Sequence, residues 1–351
     1  FTLETGAQYV ITDVTNDFAV DNWEDSRWVN DPALTNVFDY NQKVLGVYTT
    51  GAYEGDKFGL KLGLRVENTD LSTLLVTTDV ANRQQFTNLF PTAHTSYKVL
   101  DNLSLQAGYS RRISRPNLWD LNPFFNIRNN FSIRTGNPEL MPEYTDSYEV
   151  NGIWDQGIFS LNAAVYYRYT TEVVENVATF ENNVSISRPE NIGTNRATGI
   201  ELNGKVDAAE WWSLSGDFNY NYFQREGSFE TLDFDFNADQ WTGRVTNKFK
   251  LPADFDVEII TNYRSGFQTV QRDISGYFFA DLGVRKKLMK GKTIINLSVR
   301  DVFASRIFEA ETMQPNFYLY DYRLRGRFIT LGVSYGFGKG EAMEFGGQKH
   351  F

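Results

Sequence analysis

Residues 159–170 read FSLNAAVYYRYT, and along them side chains of two kinds trade places at every step. Phe159, Leu161, Ala163, Val165, Tyr167 and Tyr169 fall on one face of an extended chain, and Ser160, Asn162, Ala164, Tyr166, Arg168 and Thr170 fall on the other. Period two is the strand repeat, which puts successive side chains on opposite faces. In 212–222, Trp212, Leu214, Gly216, Phe218, Tyr220 and Tyr222 oppose Ser213, Ser215, Asp217, Asn219 and Asn221. In 58–67, Phe58, Leu60, Leu62, Leu64 and Val66 oppose Gly59, Lys61, Gly63, Arg65 and Glu67. In 200–206, Ile200, Leu202, Gly204 and Val206 alternate with Glu201, Asn203 and Lys205. The apolar faces carry no charge, while the opposite faces carry charges freely. A lipid-facing Arg or Lys at mid-bilayer costs about 2–4 kcal/mol and a lumen-facing one costs little, so a transmembrane barrel requires this asymmetry. A soluble sandwich alternates too, but its strands usually run to about 5–6 residues. Here the alternation runs about 9–13 residues, near the ~9–11 that cross a membrane at a tilt. Length decides for the membrane.

Outward from these segments, the pattern predicts an all-β, antiparallel transmembrane barrel wall of about fourteen strands: 1–12, 43–54, 57–69, 88–99, 103–113, 145–154, 158–171, 196–207, 211–224, 239–250, 255–266, 276–288, 292–302 and 323–337. Six connections are short and carry turn residues, as in Glu54-Gly55-Asp56 and Asp155-Gln156-Gly157. Seven are longer, the largest at 13–42, 70–87 and 114–144. Short turns on one side and long loops on the other are the outer-membrane layout, with turns periplasmic and loops extracellular. The hairpin repeat of roughly 45–55 residues overlaps that of propeller blades, but a blade needs four short strands where two long ones are present. We divide the chain into a barrel portion, 1–338, and a periplasmic C-terminal tail, 339–351.

Composition agrees. Mean hydropathy is −0.41, as expected where lipid-facing and lumen-facing residues average out. Aromatic residues make up 15% of the 351 residues, with 28 Phe, 19 Tyr and 7 Trp, which suits aromatic girdles at two membrane interfaces. Cysteine is absent, which excludes disulfides and thiolate metal sites. The net charge of −10 argues against nucleic acid as a partner. The chain starts at Phe1-Thr2-Leu3 without Met or signal peptide. A barrel needs export, so an earlier part of the chain is expected.

The segment from Tyr109 reads YSRRISRPNLWDLNPFFN and then GNPELMPEYTDSYEV. It resembles the barrel of TonB-dependent outer-membrane receptors, particularly the Bacteroidota type, at Arg112, Ser114, Arg115, Pro116, Leu121, Asn122, Pro123 and Phe124. The match resumes at Gly136, Asn137, Pro138, Leu140, Pro142 and Glu143. Similar echoes are Asn191-Ile192-Gly193, Gly199-Ile200-Glu201-Leu202, Asn296-Leu297-Ser298-Val299 with Asp301-Val302-Phe303, and the closing Ser334-Tyr335-Gly336-Phe337. The resemblance implies a barrel of about 22 strands with a plugged lumen, of which this chain is the C-terminal part. It implies active import, with the energy arriving through TonB and the plug. Implied partners are the N-terminal plug, TonB, outer-membrane lipid and lipopolysaccharide, and a surface lipoprotein. Such barrels often end in an aromatic residue, and Phe337 and Phe351 both qualify.

Arg111, Arg112 and Arg115 sit where a strand leaves the membrane. They are candidates to hold an anionic substrate or the plug through charge-assisted hydrogen bonds. The competing reading is that they pin the following loop or contact lipopolysaccharide. Prolines 116, 123, 138 and 142 favour an ordered, extended loop, because each fixes its own φ and restricts the residue before it. The motif therefore reads as architecture first. Trp119, Phe124 and Phe125, with Trp23 and Trp28, are candidates for a recognition surface. Asp233, Asp235, Asn237 and Asp239 are spaced like a calcium loop, but Ala238 stands at the turn position and Arg244 at the twelfth. They read better as a strand edge than as a metal site. His94 and His350 are the two histidines, and His94 shares the lumen register of Thr92, Ser96 and Lys98. No His–carboxylate–Ser constellation can be built from the strand layout, so we expect no enzyme and no cofactor. The alternatives to active import are a complete fourteen-stranded passive channel or fatty-acid transporter, and a non-transport surface scaffold.

Overall fold

The computed structural model describes residues 1–124, 126–129, 131–229, 232–314 and 317–337. Fourteen long strands form one antiparallel sheet in which sequence neighbours are spatial neighbours throughout. They are β1 Thr2–Phe18, β2 Asn36–Glu54, β3 Phe58–Leu75, β4 Val80–Leu100, β5 Leu103–Ser114, β6 Glu143–Asp155 and β7 Phe159–Thr171, followed by β8 Gly193–Ala209, β9 Trp212–Phe229, β10 Leu232–Leu251, β11 Phe255–Arg264, β12 Tyr277–Leu288, β13 Thr293–Arg300 and β14 Phe328–Tyr335. β1 and β14 are the two edges of the sheet and do not pair with each other. All fourteen expected strands are present, and the propeller is excluded because the sheet is continuous.

Register makes one face continuous. Tyr109 stands opposite Tyr148 and Tyr148 opposite Tyr167, while Val150, Val165, Ile200 and Tyr220 form the next row across four strands. Every residue assigned to the lipid side from sequence lies on this face. Leu60, Val165 and Phe218 are 37%, 52% and 38% exposed, so no second sheet covers them. A stacked sandwich would have buried all three. Two aromatic bands cross the same face. At the short-turn end Trp154 meets Phe159 at 5.3 Å, and Trp212 lies 6.2 Å from Phe249. At the long-loop end Tyr109 meets Tyr148 at 4.9 Å, and Trp241 meets Tyr263 at 4.2 Å. Such bands flank the apolar belt of outer-membrane barrels.

The short turns fall within a residue or two of their expected places. At the β10–β11 turn, Ala253 and Asp254 both take positive φ, the pair needed for a turn that matches strand twist. The long-loop end differs from expectation. β2, β3, β4 and β10 run to 19, 18, 21 and 20 residues, about twice the ~9–11 that span a bilayer. Most of 13–42 and 70–87, expected as loops, is therefore strand: β3 and β4 meet across a tip at 76–79. Ladder hydrogen bonds continue beyond the lipid, where either face can be polar, so the alternation stops before the strand does. The last wall strand begins at Phe328 rather than 323. Residues 323 and 324 belong instead to a hairpin of Ile307–Gln314 with Phe317–Leu324. The division at 338/339 and His350 lie outside the described residues.

Two further four-stranded sheets stand at the long-loop end. One joins Val174–Glu181, Val184–Asn191, Ser132–Arg134 and Asn126–Asn129, and the other joins Phe267–Gln268, Arg272–Ile274, Ile307–Gln314 and Phe317–Leu324. A hydrophobic cluster sits there too. Phe38, Tyr40, Leu71 and Leu75, on the polar-face register of β2 and β3, pack with Leu121 and Leu140 from the loop after β5. That loop folds in over the sheet's polar face.

Candidate functional site

β5 carries two consecutive arginines, Arg111 and Arg112, near its end, and consecutive strand residues point to opposite faces. Arg111 stands on the apolar face just beyond the aromatic band. Its Nη1 lies 3.5 Å from Asp146 Oδ2, and Tyr109 donates its hydroxyl to Asp146 Oδ1 at 2.8 Å. Arg112 stands on the polar face, where it lines a cavity of about 570 Å³ with Lys61, His94, Ser96, Glu149 and Asn151. His94 keeps its expected register, opposite Lys61 and Gly108.

Arg115 is turned to a third task. Its Nη2 donates to Glu67 Oε2 at 2.5 Å and to Thr69 Oγ1 at 3.1 Å. Glu67 is buried, and its other oxygen accepts from Arg65 Nε, whose Nη2 reaches Gln8 at 3.1 Å. A buried carboxylate is tolerated when it is paired and hydrogen-bonded. This one ties the loop to β1 and β3. From Pro116 the chain enters a single helical turn, Leu118–Leu121, closed by reciprocal bonds between Asn117 and Asp120. The turn drives Leu121 into the cluster and leaves Trp119 exposed. Phe124 packs against the cluster. Phe125 lies outside the described residues.

The second half of the motif closes on the first. Gly136 donates to Asn122 O at 2.8 Å, and Asn137 N–H donates to Asp120 O at 2.7 Å. A Cβ on Gly136 would lie 2.5 Å from Asn122 O, so only glycine permits this approach. Buried Asn137 donates through Nδ2 to Glu190 Oε2 at 2.9 Å and to Pro189 O at 3.3 Å. Asn191 accepts from Met141 N–H at 2.8 Å and donates to Met141 O and Glu172 O. The separated motifs at 112–116, 121–124, 136–143 and 191–193 thus meet in one stitched loop assembly. Asp301 does the same further on, its two carboxylate oxygens accepting from Ser305 N–H and Arg306 N–H at 2.9 Å each.

The assembly continues sideways. Gln271 exchanges hydrogen bonds with the backbone of Ala178, Glu175 accepts from Val270 N–H at 3.0 Å, and Phe180 stacks on Phe317 at 5.3 Å. In the 307–324 hairpin the Arg323 guanidinium hydrogen-bonds the Asp321 carboxyl and holds it below the usual carboxylate range, outweighing the opposing effect of burial. Trp23 and Trp28 form an edge-to-face pair at 5.1 Å on a hairpin of their own. Asp233 and its alternate neighbours lie along β10 in extended chain, with Asp235 accepting from Gln224. Extended alternation spreads carboxylates in a line and cannot wrap an ion. Among the described residues no group of three His, Cys, Asp or Glu side chains is placed to hold a metal.

A second cavity, about 550 Å³, opens between the end of β1 and this loop and is lined by Phe18, Asn36, Trp119, Phe124 and Arg134. Sequence reading nominated Trp119 and Phe124 but missed Phe18 and Asn36, as it missed Glu67 and Arg65. All four lie on strands where only register places them beside the loop.

The model of the outer membrane protein beta-barrel family matches residues 1–335. No curated protein matches the sequence. Among solved structures, the chain is similar to the siderophore receptor PiuA from Acinetobacter baumannii (TM-score 0.67, 15% identity, 94% of this chain and 52% of that one). It is also similar to the ferric yersiniabactin uptake receptor FyuA from Yersinia pestis (0.62, 14%, 95% and 51%) and to the copper transporter OprC (0.67, 11%, 94% and 55%). The chain spans about half the length of these structures.

Proposed function

The chain belongs to the outer membrane protein beta-barrel family, and from that membership we propose that it forms part of the wall of an active import receptor. In this reading the fourteen strands are the C-terminal portion of a barrel of about 22 strands. The rest of the barrel, a plug and the segment that engages TonB lie outside this chain. Lipid and lipopolysaccharide cover the apolar face, and the plug fills the polar one. The stitched loop assembly faces outward and the short turns face the periplasm. A transporter of this kind binds and moves its substrate unchanged, with no catalytic residue.

One observation carries the reading. The long-loop end is an ordered, inward-folded structure, with its own core and two small sheets, set over the polar face. A passive fourteen-stranded channel would instead pair β1 with β14 and keep its lumen open. The three solved structures compared above, two receptors and a copper transporter by name, are about twice the length. Of the described candidate side chains, Arg112 and Trp119 are the ones free to meet plug or substrate, on the polar face and in the loop cavity. Arg115 and Phe124 hold the loop, and Arg111 faces the lipid headgroup region.

Uptake in strains with and without TonB tests the energy source, and uptake that survives loss of TonB would refute it. Sidedness has its own test, in which this chain contributes no native cysteine. Ser26→Cys, at the hairpin tip, should react with an impermeant maleimide on intact cells, and Gln156→Cys only after permeabilisation. The reverse pattern would invert the topology.

A further inference from the structure

Between the long-loop aromatic band and the short turns, the lipid-facing register is uncharged, with one exception among the described residues. Lys286 of β12 points outward, in line with Leu282, Val284 and Leu288. Strand β12 lies two strands in from the β14 edge, on the face that neither a plug nor further barrel strands would cover. A lysine against hydrocarbon is costly unless its ammonium reaches the interface. Here it does. Lys286 Nζ donates to Ala253 O in the β10–β11 turn and lies 4.1 Å from the ring centroid of Phe255. An ammonium has three donors, and the carbonyl takes one.

The chain beside Lys286 is basic. Residues 285–292 read RKKLMKGK, five cations with no carboxylate, on a chain of net charge −10. Arg285 and Lys287 alternate onto the polar face, where Arg285 stands opposite Asp256. Lys290 and Lys292 are exposed in the turn that follows, in which Met289 and Lys290 both take positive φ. Met289 is 69% exposed. Its sulfur accepts from Thr293 Oγ1 at 3.5 Å, and Thr293 pairs with outward-facing Leu288 and Tyr335, which keeps Met289 on the lipid side. The facing segment 253–256 adds two carboxylates, Asp254 and Asp256, so cations stay in excess.

We propose that Lys286 and the β12–β13 turn bind an anionic phospholipid, one such as phosphatidylglycerol whose headgroup carries phosphate and no ammonium. Charge complementarity selects the headgroup, since basic segments at a membrane surface attract anionic lipid. Position selects a lipid over a free anion, because Phe255, Leu288 and Met289 are exposed beside the lysines and cover acyl chain. A zwitterionic lipid brings its own ammonium into the same field and gains less. The assignment rests on the import reading for one thing, that the short turns are periplasmic, which makes the ligand a lipid of that leaflet.

The test uses the full receptor purified in detergent and titrated with phosphatidylglycerol or phosphatidylethanolamine of identical chains. Bound lipid is counted by native mass spectrometry. Phosphatidylglycerol should bind the tighter of the two. Lys286→Gln combined with Lys290→Gln and Lys292→Gln should weaken its binding by about tenfold or more, and arginine at the same positions should keep it. A charge-matched control, Lys57→Gln with Lys98→Gln and Lys205→Gln near other short turns, should leave it unchanged. Heat-modifiable gel mobility checks that each variant is folded. Equal binding of the two lipids overturns the proposal, as does full affinity in the Lys286 triple variant or an equal loss in the control. Displacement of phosphatidylglycerol by inorganic phosphate overturns it too, because the site would then read phosphate alone. Uptake that ignores TonB, with the lipid preference intact, would remove the import reading alone. TonB-dependent uptake with no lipid preference would remove the lipid site alone.

Discussion

Replacing Leu202 by Arg puts a guanidinium where the fold places hydrocarbon. Leu202 lies on the apolar face between Ala163 of β7 and Phe218 of β9, 37% exposed with no protein layer above it. Its depth follows from its neighbour. Phe218 is four residues from Tyr222 in the long-loop aromatic band and six from Trp212 in the short-turn band. At about 3.3 Å per residue and a tilt of about 40°, those intervals are heights of about 10 and 15 Å. They sum to about 25 Å, the height of the apolar belt, so Leu202 sits near its middle. A midplane Arg costs about 2–4 kcal/mol. The side chain can snorkel toward the nearer band, which draws the cost toward the lower half of that range. Asn203, the next residue, faces the other way, opposite Asn162 and Asp217. An arginine there meets water and a carboxylate and should change stability by no more than about 0.5 kcal/mol. A gap of about 1.5 kcal/mol or more between the variants is therefore expected, above tenfold in the folding equilibrium. Urea unfolding in lipid vesicles, followed by tryptophan fluorescence, measures it. Equal costs for Leu202→Arg and Asn203→Arg, or a larger cost for the second, would refute the assignment of faces.

Three perturbations address the loop assembly. Gly136→Ala forces a methyl against Asn122 O and Asp120 O at a cost of about 1–3 kcal/mol. Protease should cut within 116–142 faster, while heat-modifiable mobility of the barrel is unchanged. Arg115→Met leaves buried Glu67 with Arg65 alone and should cost about 1–3 kcal/mol, seen as faster amide exchange in 116–142. Adding Glu67→Gln should recover part of that loss, because no carboxylate is then left half-paired. Asp321 gives a pH signature. Its carboxyl is held below the ordinary range by the Arg323 hydrogen bond, so its contribution is present above the unfolded-state pKa and is lost as pH falls through the lowered value. Amide protection of the 307–324 hairpin should therefore hold at neutral pH and fall below about pH 4. Asp321→Asn should remove that dependence, and a variant that kept it would show another group to be responsible.

The wall was legible in the sequence because lipid imposes one rule on every strand. A side chain such as Val165 or Phe218 must be apolar whatever its sequence neighbours are, and the residue beside it is under no such constraint. The alternation this leaves is local and can be read without knowing which strand pairs with which. The same logic explains where the reading stopped. At Asp70, β3 has left the lipid, its outward side chain pairs with Arg83 across the hairpin, and the apolar period is gone although the strand runs on to Leu75. On the polar face, by then inside a loop assembly rather than facing a plug or water, Leu71 and Leu75 are buried, which reverses the sense of the pattern. A rule tied to lipid has no purchase there.

The loop motif was legible as an ordered segment but not as a set of contacts, and the difference bears on function. Prolines and glycines announce local geometry, so an extended, fixed path from Pro116 to Pro142 could be anticipated. That Asn137 would be held by Glu190, or Arg115 by Glu67, depends on register across strands that are 50 residues apart or nearly so. Several motif residues and their neighbours turn out to satisfy one another: Asn117 with Asp120, Gly136 with Asn122, Asn191 with Met141. A residue already committed to a backbone partner inside the assembly has little left to offer a ligand. The groups with capacity to spare include ones the motif does not specify, such as Phe18 and the Oδ1 of Asn36, together with Trp119, which the motif's helical turn holds out to solvent, and Arg112 of the motif itself. On the import reading, then, the motif fixes a frame, and selectivity belongs to the side chains around its edge. Exchanging Trp119 and Phe18 should redirect binding without loosening the loop, whereas exchanging Gly136 or Asn137 should loosen the loop and impair every ligand alike.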